Sequence, residues 1–350
     1  MQPSSSKRVG LLVLVASLGY FVDIYDLILF NVVKKESLLD IFGQLSIEEM
    51  IKYEMNLFSY QMVGMLLGGI LWGIWGDKKG RVSVMFGSIM LYSFANIANA
   101  FVTDLTSYSV LRFIAGVGLA GELGAGITLV VESMDKKTRG WGTMVVVTVG
   151  VCGAVVASLV GTEGHYIAEW IYPVIGVKFS NWQIAYLLGG IMGLCLLVMR
   201  AGAFESGMFK EIQQKDSISK GNIALFFNNK KRFYKYLNSI LLGLPIWLVV
   251  GILIGQSDKI AMALGVNGEV KVSDSIMYAY IGLCLGDFSS GFLSQILKTR
   301  KKVILGFQVF LFLICAVYLI NKNVSVTYFK VMCGLLGFAA GYWALFVTNA

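Results

Sequence analysis

The sequence predicts an all-α integral membrane protein, and three observations lead there. Of its 350 residues, 57% are hydrophobic and 14% charged. With a mean hydropathy of +0.72, this is not the balance of a water-soluble globule. Ten apolar runs of about 20 residues follow one another, each long enough to cross a bilayer. Between the second and third lies the turn Asp77-Lys78-Lys79-Gly80-Arg81. It is too short and too charged to rest anywhere but in water, so its flanking runs form a hairpin of spanning helices. Its excess of Lys and Arg assigns it to the cytoplasmic side.

The expected spans cover 9–32, 56–75, 82–101, 107–131, 142–163, 182–201, 236–256, 275–297, 303–321 and 325–347. With Lys7 and Arg8 inside, the inner loops hold Asp77 to Arg81, Glu132 to Arg139, the segment 202–235, and Lys298 to Lys302. The outer loops 33–55, 164–181 and 257–274 mix charges without a basic bias. This pattern predicts a multi-pass protein of the bacterial inner membrane with a cytoplasmic N-terminus. The net charge of +8 sits in those short loops, so the lipid bilayer, not nucleic acid, is the expected partner. The first apolar run is too long for a cleavable signal.

Forty glycines and three prolines suit closely packed membrane helices. Cys152, Cys195, Cys284, Cys315 and Cys333 all fall in apolar runs without CxxC or Cys/His grouping, and read as small packing residues rather than metal ligands or disulfide partners. His165 reads as a surface residue of an outer loop. Trp72, Trp75, Trp182 and Trp343 lie near span ends, where interfacial anchoring is expected.

Residues 202–235 form the one long polar stretch inside. Two readings stay open: amphipathic surface helices with Phe209, Leu225 and Phe226 toward lipid, or a flexible linker. The stretch divides a six-helix bundle (1–201) from a four-span bundle (236–350). Gly69-x-x-x-Gly73 before the first inner turn and Gly286-Asp-Phe-Ser-Ser-Gly291 before the Lys298–Lys302 turn are weakly alike, as in carriers built from two six-span repeats. On that plan two spans are missing after Ala350, and the chain is expected to be incomplete.

Chemistry is sought in the ionisable groups within spans, each of which costs about 2.5–3.5 kcal/mol at the bilayer centre. Asp23 and Asp26 share a face of span 1 with Tyr20. Two such carboxylates repel, so one is expected to hold a proton; a structural role, one aspartate neutralising an arginine, stays open. Arg112 in span 4 lies at a depth similar to Asp26, which predicts a buried pair if spans 1 and 4 are neighbours. Glu122 lies about 15 Å deeper along span 4, among Gly116, Gly118, Gly121, Gly124 and Gly126. The glycines read as close packing, whereas a carboxylate there needs a partner, a proton or water. Asp287 in span 8 either lines a cavity or caps Ser289 and Ser290. Span 7, with Asn238, Pro245 and Trp247, reads as kinked and partly polar. Asp77, Arg81, Glu132 and Arg139, around Gly73 and Gly80, read as a charge network that could latch the cytoplasmic mouth, since a single exposed pair contributes under about 1 kcal/mol. No metal site and no organic cofactor are expected; a proton is the expected coupling ion.

These residues resemble the major facilitator superfamily. Gly73-x-Trp-Gly-Asp77-Lys-Lys-Gly80-Arg81 resembles its loop signature between spans 2 and 3, and Arg112-x-x-x-Gly116-x-Gly118 its span-4 signature. Over the first 210 residues the chain looks most like the metabolite:proton symporters, the group that includes proline/betaine, α-ketoglutarate, citrate and shikimate carriers. Gly19 to Phe30, Gly118 to Ala125, Glu132 to Gly140, Trp182 and Glu205 to Phe209 carry that likeness. Asp23, Phe30 and Gln183 depart from the group's glutamate, tyrosine and arginine, and Gln295 stands where the repeated loop would have an aspartate.

The resemblance implies the major facilitator fold: two helical bundles around a central cavity, about ten spans present of twelve, with Asp77 helping to hold the first bundle against a span 11 that this chain lacks. It implies a monomer and proton-coupled uptake of a small-molecule substrate (an amino acid, betaine or organic acid) by alternating access, with Asp23, Asp26, Arg112, Glu122 and Asp287 as substrate- and proton-handling residues. Drug or siderophore efflux is one alternative, and a non-transporting sensor or degenerate relic another. An intramembrane enzyme is not expected, because no metal set or Ser/Lys pair falls at matched depth.

Overall fold

A computed structural model describes residues 6–133, 139–205 and 229–347, and the described residues are overwhelmingly helical. The first six helices are α1 (Ser6–Phe42), α2 (Ile47–Lys79), α3 (Arg81–Asn99), α4 (Leu105–Ser133), α5 (Arg139–Ile175) and α6 (Asn181–Glu205). Then come α7 (Lys230–Trp247), a π-helical stretch Leu248–Ile254, the short α8 (Ser257–Ala263), α9 (Val272–Ile296), α10 (Arg300–Ile320), α11 (Val326–Ala340) and α12 (Trp343–Val347). Among the described residues, eight stretches are long and apolar enough to cross a membrane; α3 and α4 pack among them. The expected linker helices, with Phe209, Leu225 and Phe226, lie outside the described residues.

Two expected loops are helix instead. The outer loop 33–55 shrinks to a tight turn, because α1 runs on to Phe42 and α2 begins at Ile47. Gly43, at φ +72°, takes the left-handed conformation that ends α1. The Ser46 hydroxyl accepts from the Glu49 N–H (3.2 Å), and the Glu49 carboxylate accepts from the Ser46 N–H (3.0 Å), a complete capping box. Likewise α5 continues to Ile175, which puts His165 on an exposed helical turn. The reversal expected at Gly80 is present: at φ +91° it separates α2 from α3. Asp104 opens α4 by accepting from the Ser107 N–H (2.9 Å) and hydroxyl (2.6 Å), and Ser107 holds this carboxyl below the ordinary carboxylate range. Pro245 has no N–H to give the α7 ladder, and the chain next winds as the π-helical stretch.

Packing follows the small residues. α2 lies against α4 with Gly64 on Phe113 and Gly68 on Val117, while Gly116 of α4 meets the Gln61 backbone and Gly118 that of Tyr92 on α3. In the second half α9 lies against α11 in the same manner, Gly282 on Gly334 and Gly286 on Phe338 and Gly341. The close-packing reading of the span-4 glycines therefore holds for Gly116, Gly118 and Gly121, while Gly124 and Gly126 lie outside the described side chains. Gly68→Val is expected to destabilise the protein by about 1–3 kcal/mol through overpacking. Gly69→Ala, which meets open space, should be neutral; thermal unfolding of both in detergent is the check.

Of the four tryptophans expected near span ends, three are internal locks rather than interfacial anchors. Trp182 is buried and donates to Asp40 (2.7 Å), Trp72 donates to the Val117 carbonyl (2.6 Å), and Trp343 donates to the Tyr20 hydroxyl. Only Trp75, 53% exposed, stands free to reach an interface.

Candidate functional site

The face of α1 formed by Gly19, Asp23, Asp26 and Phe30, at steps of four, three and four residues, turns into the first six helices. The opposite face carries Tyr20, Ile24, Leu27 and Ile28, which join an apolar core shared with Ile246, Val249 and Tyr280 of the second half. α1 thus separates a charged interior from the seam between the halves.

That interior has two tiers. In the first, Arg112 is 1% exposed and donates to Gln61 Oε1 and Asn96 Oδ1, both at 3.3 Å. Its guanidinium also lies over the rings of Phe30 (5.4 Å) and Tyr186 (5.0 Å), contacts that favour a desolvated cation. Tyr186 continues the polar chain to Tyr108 (2.8 Å) and Ser37 (3.1 Å). Spans 1 and 4 are neighbours, which meets the condition for an Asp26–Arg112 pair, yet the pair is not a direct one. Asp26 lies near enough to feel the guanidinium charge and the Asn96 amide, but neither of its oxygens is held by a well-formed hydrogen bond. Gln61 and Asn96 take the guanidinium donors instead.

In the second tier Glu122 pairs with Arg200 of α6, and both are almost fully buried. Sequence reasoning missed Arg200, since a cation near the end of a span ordinarily extends to water. Asp23 feels the charges of Glu122, Arg200 and Asp26, and its Oδ1 has no partner. Any side chain at position 19 would collide with Arg200 and Glu122, which explains the glycine that opens the span-1 motif. Tyr92, its hydroxyl buried and unpartnered, stands within range of both tiers.

Asp287 is apart from this set. It is fully buried in α9, and its Oδ1 accepts from the Ala344 N–H (3.0 Å) where α11 gives way to α12. Ser290 donates to the Asp287 backbone carbonyl (3.2 Å) and Ser289 to that of Leu285 (2.6 Å), so neither hydroxyl serves the carboxylate. Of the expected inner-mouth network, the side chains of Arg81, Glu132 and Arg139 lie outside the described residues; Asp77 is exposed near the end of α2, and Gly73 meets open space. The halves touch at that end where Gly140 and Met144 of α5 meet Gln295 and Gly291 of α9, beside a cleft that Thr143 and Arg300 help to line.

Further along the same seam the thiols of Cys152 (α5) and Cys284 (α9) stand 3.5 Å apart, both directed at the Thr148 carbonyl. All five cysteines are free, and two of them meet across the halves. A mild thiol oxidant is expected to join them, read as the loss of two maleimide-reactive thiols per chain. Serine at either position should abolish the link.

Comparison with known proteins agrees with this architecture. The family model described as Major Facilitator Superfamily matches residues 16–350. The chain is 29% identical over 214 residues to the putative niacin/nicotinamide transporter NiaP of Bacillus subtilis, covering 61% of this chain and 48% of that protein. It is 26% identical over 268 residues to the sialic acid transporter NanX of Escherichia coli, covering 74% and 60%. The matches thus span about half of these relatives. Among solved structures, the proton:xylose symporter XylE superposes with a TM-score of 0.67 at 15% identity, covering 98% of this chain and 82% of that one. This chain belongs to the Major Facilitator Superfamily.

Proposed function

We propose that the chain works as a proton-coupled secondary transporter that takes up a small organic acid by alternating access. The carrying observation is the charge count of the buried interior. Asp23, Asp26 and Glu122 share it with Arg112 and Arg200, three carboxylates against two guanidiniums. In a medium of low dielectric an uncompensated charge is severely penalised, and a proton is the smallest species that restores neutrality. Each time water reaches the set from one side of the membrane, that proton can be taken up or released.

The set is enclosed by α1, α2, α3, α4 and α6, so it acts on solute through α1. Gain or loss of the proton changes how α1 is held on its charged face. Its other face, with Tyr20 accepting from Trp343 of the second half, passes that change to the seam along which the halves rock. An organic acid is favoured over an amine because a carrier that moves a proton with an anion moves less net charge. Sialic acid, the solute in the name of one relative, is of that class. By the basic bias of its turns, the end with Asp77 faces the cytoplasm of a bacterial inner membrane.

The test is counterflow in proteoliposomes with labelled organic acids, amino acids and betaines, with and without an imposed pH gradient. Accumulation of an acid that rises with an acidic exterior is the expected result. Accumulation indifferent to the gradient removes the proton; no accumulation of any solute removes the carrier.

A further inference from the structure

At the end of the molecule that carries the α1–α2 turn, four polar groups from both halves meet in a largely buried cluster. Lys34 of α1 and Glu54 of α2, each with a side chain 4% exposed, lie 3.4 Å apart. Lys259 of α8, in the second half, donates to the same Glu54 oxygen at 2.8 Å. Lys34 in turn donates to the Gly255 carbonyl (3.0 Å), where the π-helical stretch of the second half ends. A cation suits that position, because free carbonyls at a helix C-terminus carry partial negative charge. Asp258 is the remaining charged group within range of Lys34, and its buried Oδ1 has no partner.

We propose that Glu54, Lys34 and Lys259 form a clasp that holds the two halves together at this end and must part each time the mouth opens. Two bonds cross between the halves, Lys259 to Glu54 and Lys34 to Gly255. The other two stay within a half: Lys34 with Glu54, and Lys259 with Gln256 at 2.7 Å. Glu54, Lys34 and Lys259 therefore each keep a partner when the crossing bonds break. Opening strips none of these three charges of its last partner, which is what a buried ion pair needs in order to be undone reversibly. Lys259, about one-third exposed, is the member that water reaches first.

This inference rests on the reading of the chain as a rocking carrier, so its test should not depend on solute. Ile28, 3% exposed on the seam face of α1, lies six residues, about 9 Å, below Lys34. In the full chain with its native cysteines replaced, Ile28→Cys is treated with a membrane-impermeant maleimide from the clasp side. Glu54→Gln and Lys259→Met should each raise the labelling rate by roughly tenfold or more, a population shift toward the open mouth. The double variant should label no faster than Glu54→Gln alone, because the crossing bond is lost only once.

Lys259→Met leaves the Lys34–Glu54 pair whole and so keeps the test decisive if Glu54→Gln does not fold, as judged by monodisperse elution. Wild-type labelling rates in a monodisperse Lys259→Met protein would overturn the clasp, as would independent multiplication of the two effects. Faster labelling together with absent uptake would keep the clasp and remove the transport reading.

Discussion

Arg200→Met is expected to destabilise the protein by about 3–5 kcal/mol, because it strands Glu122 as a buried carboxylate without its cation. The effect should appear as a steep fall in thermal stability in detergent. The double variant Arg200→Met/Glu122→Gln should recover most of the loss, since a neutral pair of similar size removes the stranded charge together with its partner. A contribution from packing alone predicts the opposite, with the double variant worse than either single one. Transport should be impaired in both, so stability and uptake separate the scaffold role of the pair from any part in proton handling.

Asp26→Asn should have the largest functional effect. Both Asp26 oxygens are buried with the Asn96 amide beside them and without a well-formed hydrogen bond, and its removal brings the interior to two carboxylates against two guanidiniums. A balanced interior has no need of a proton. Accumulation driven by a pH gradient should fall to the level of empty liposomes, while downhill exchange of labelled solute persists. Stability should hold or rise, because the amide relieves an unmatched buried charge. A variant that instead unfolds, or that still accumulates solute in step with the gradient, would mark Asp26 as structural.

The helical scaffold was legible because bilayer length and the charged turn at Asp77 to Arg81 leave few alternatives. Glu122, Asp23, Asp26 and Arg112 were legible for a related reason: a charge inside an apolar run stands out at once. Their pairing was not. Which helices adjoin is decided by glycine contacts such as Gly64 on Phe113 and Gly116 on Gln61, and a single sequence does not print those.

Charges near span ends were the harder class. Arg200, Lys34 and Glu54 fall where solvation is the ordinary outcome, and only the close approach of neighbouring helices buries them. One missed signal lay in plain view. Ser46-Ile-Glu-Glu49 is a helix-start pattern, and reading it would have moved the beginning of α2 from about 56 to 47. The Asp26–Arg112 expectation failed in its detail for a chemical reason: neutral amides at Gln61 and Asn96 can hold a guanidinium at similar depth, and depth arithmetic counts only charges.

Along Val13–Phe42, α1 leaves little of its surface uncovered. In its most apolar window 78% of residues are buried, against 17% for α10. Among the described residues α10 therefore answers to few protein neighbours, whereas most positions along Val13–Phe42 of α1 answer to one on one side or another. Drift among descendants of this chain should be slowest along that first helix and freest along α10, and an engineer wanting a tag or a fluorophore should leave the former alone.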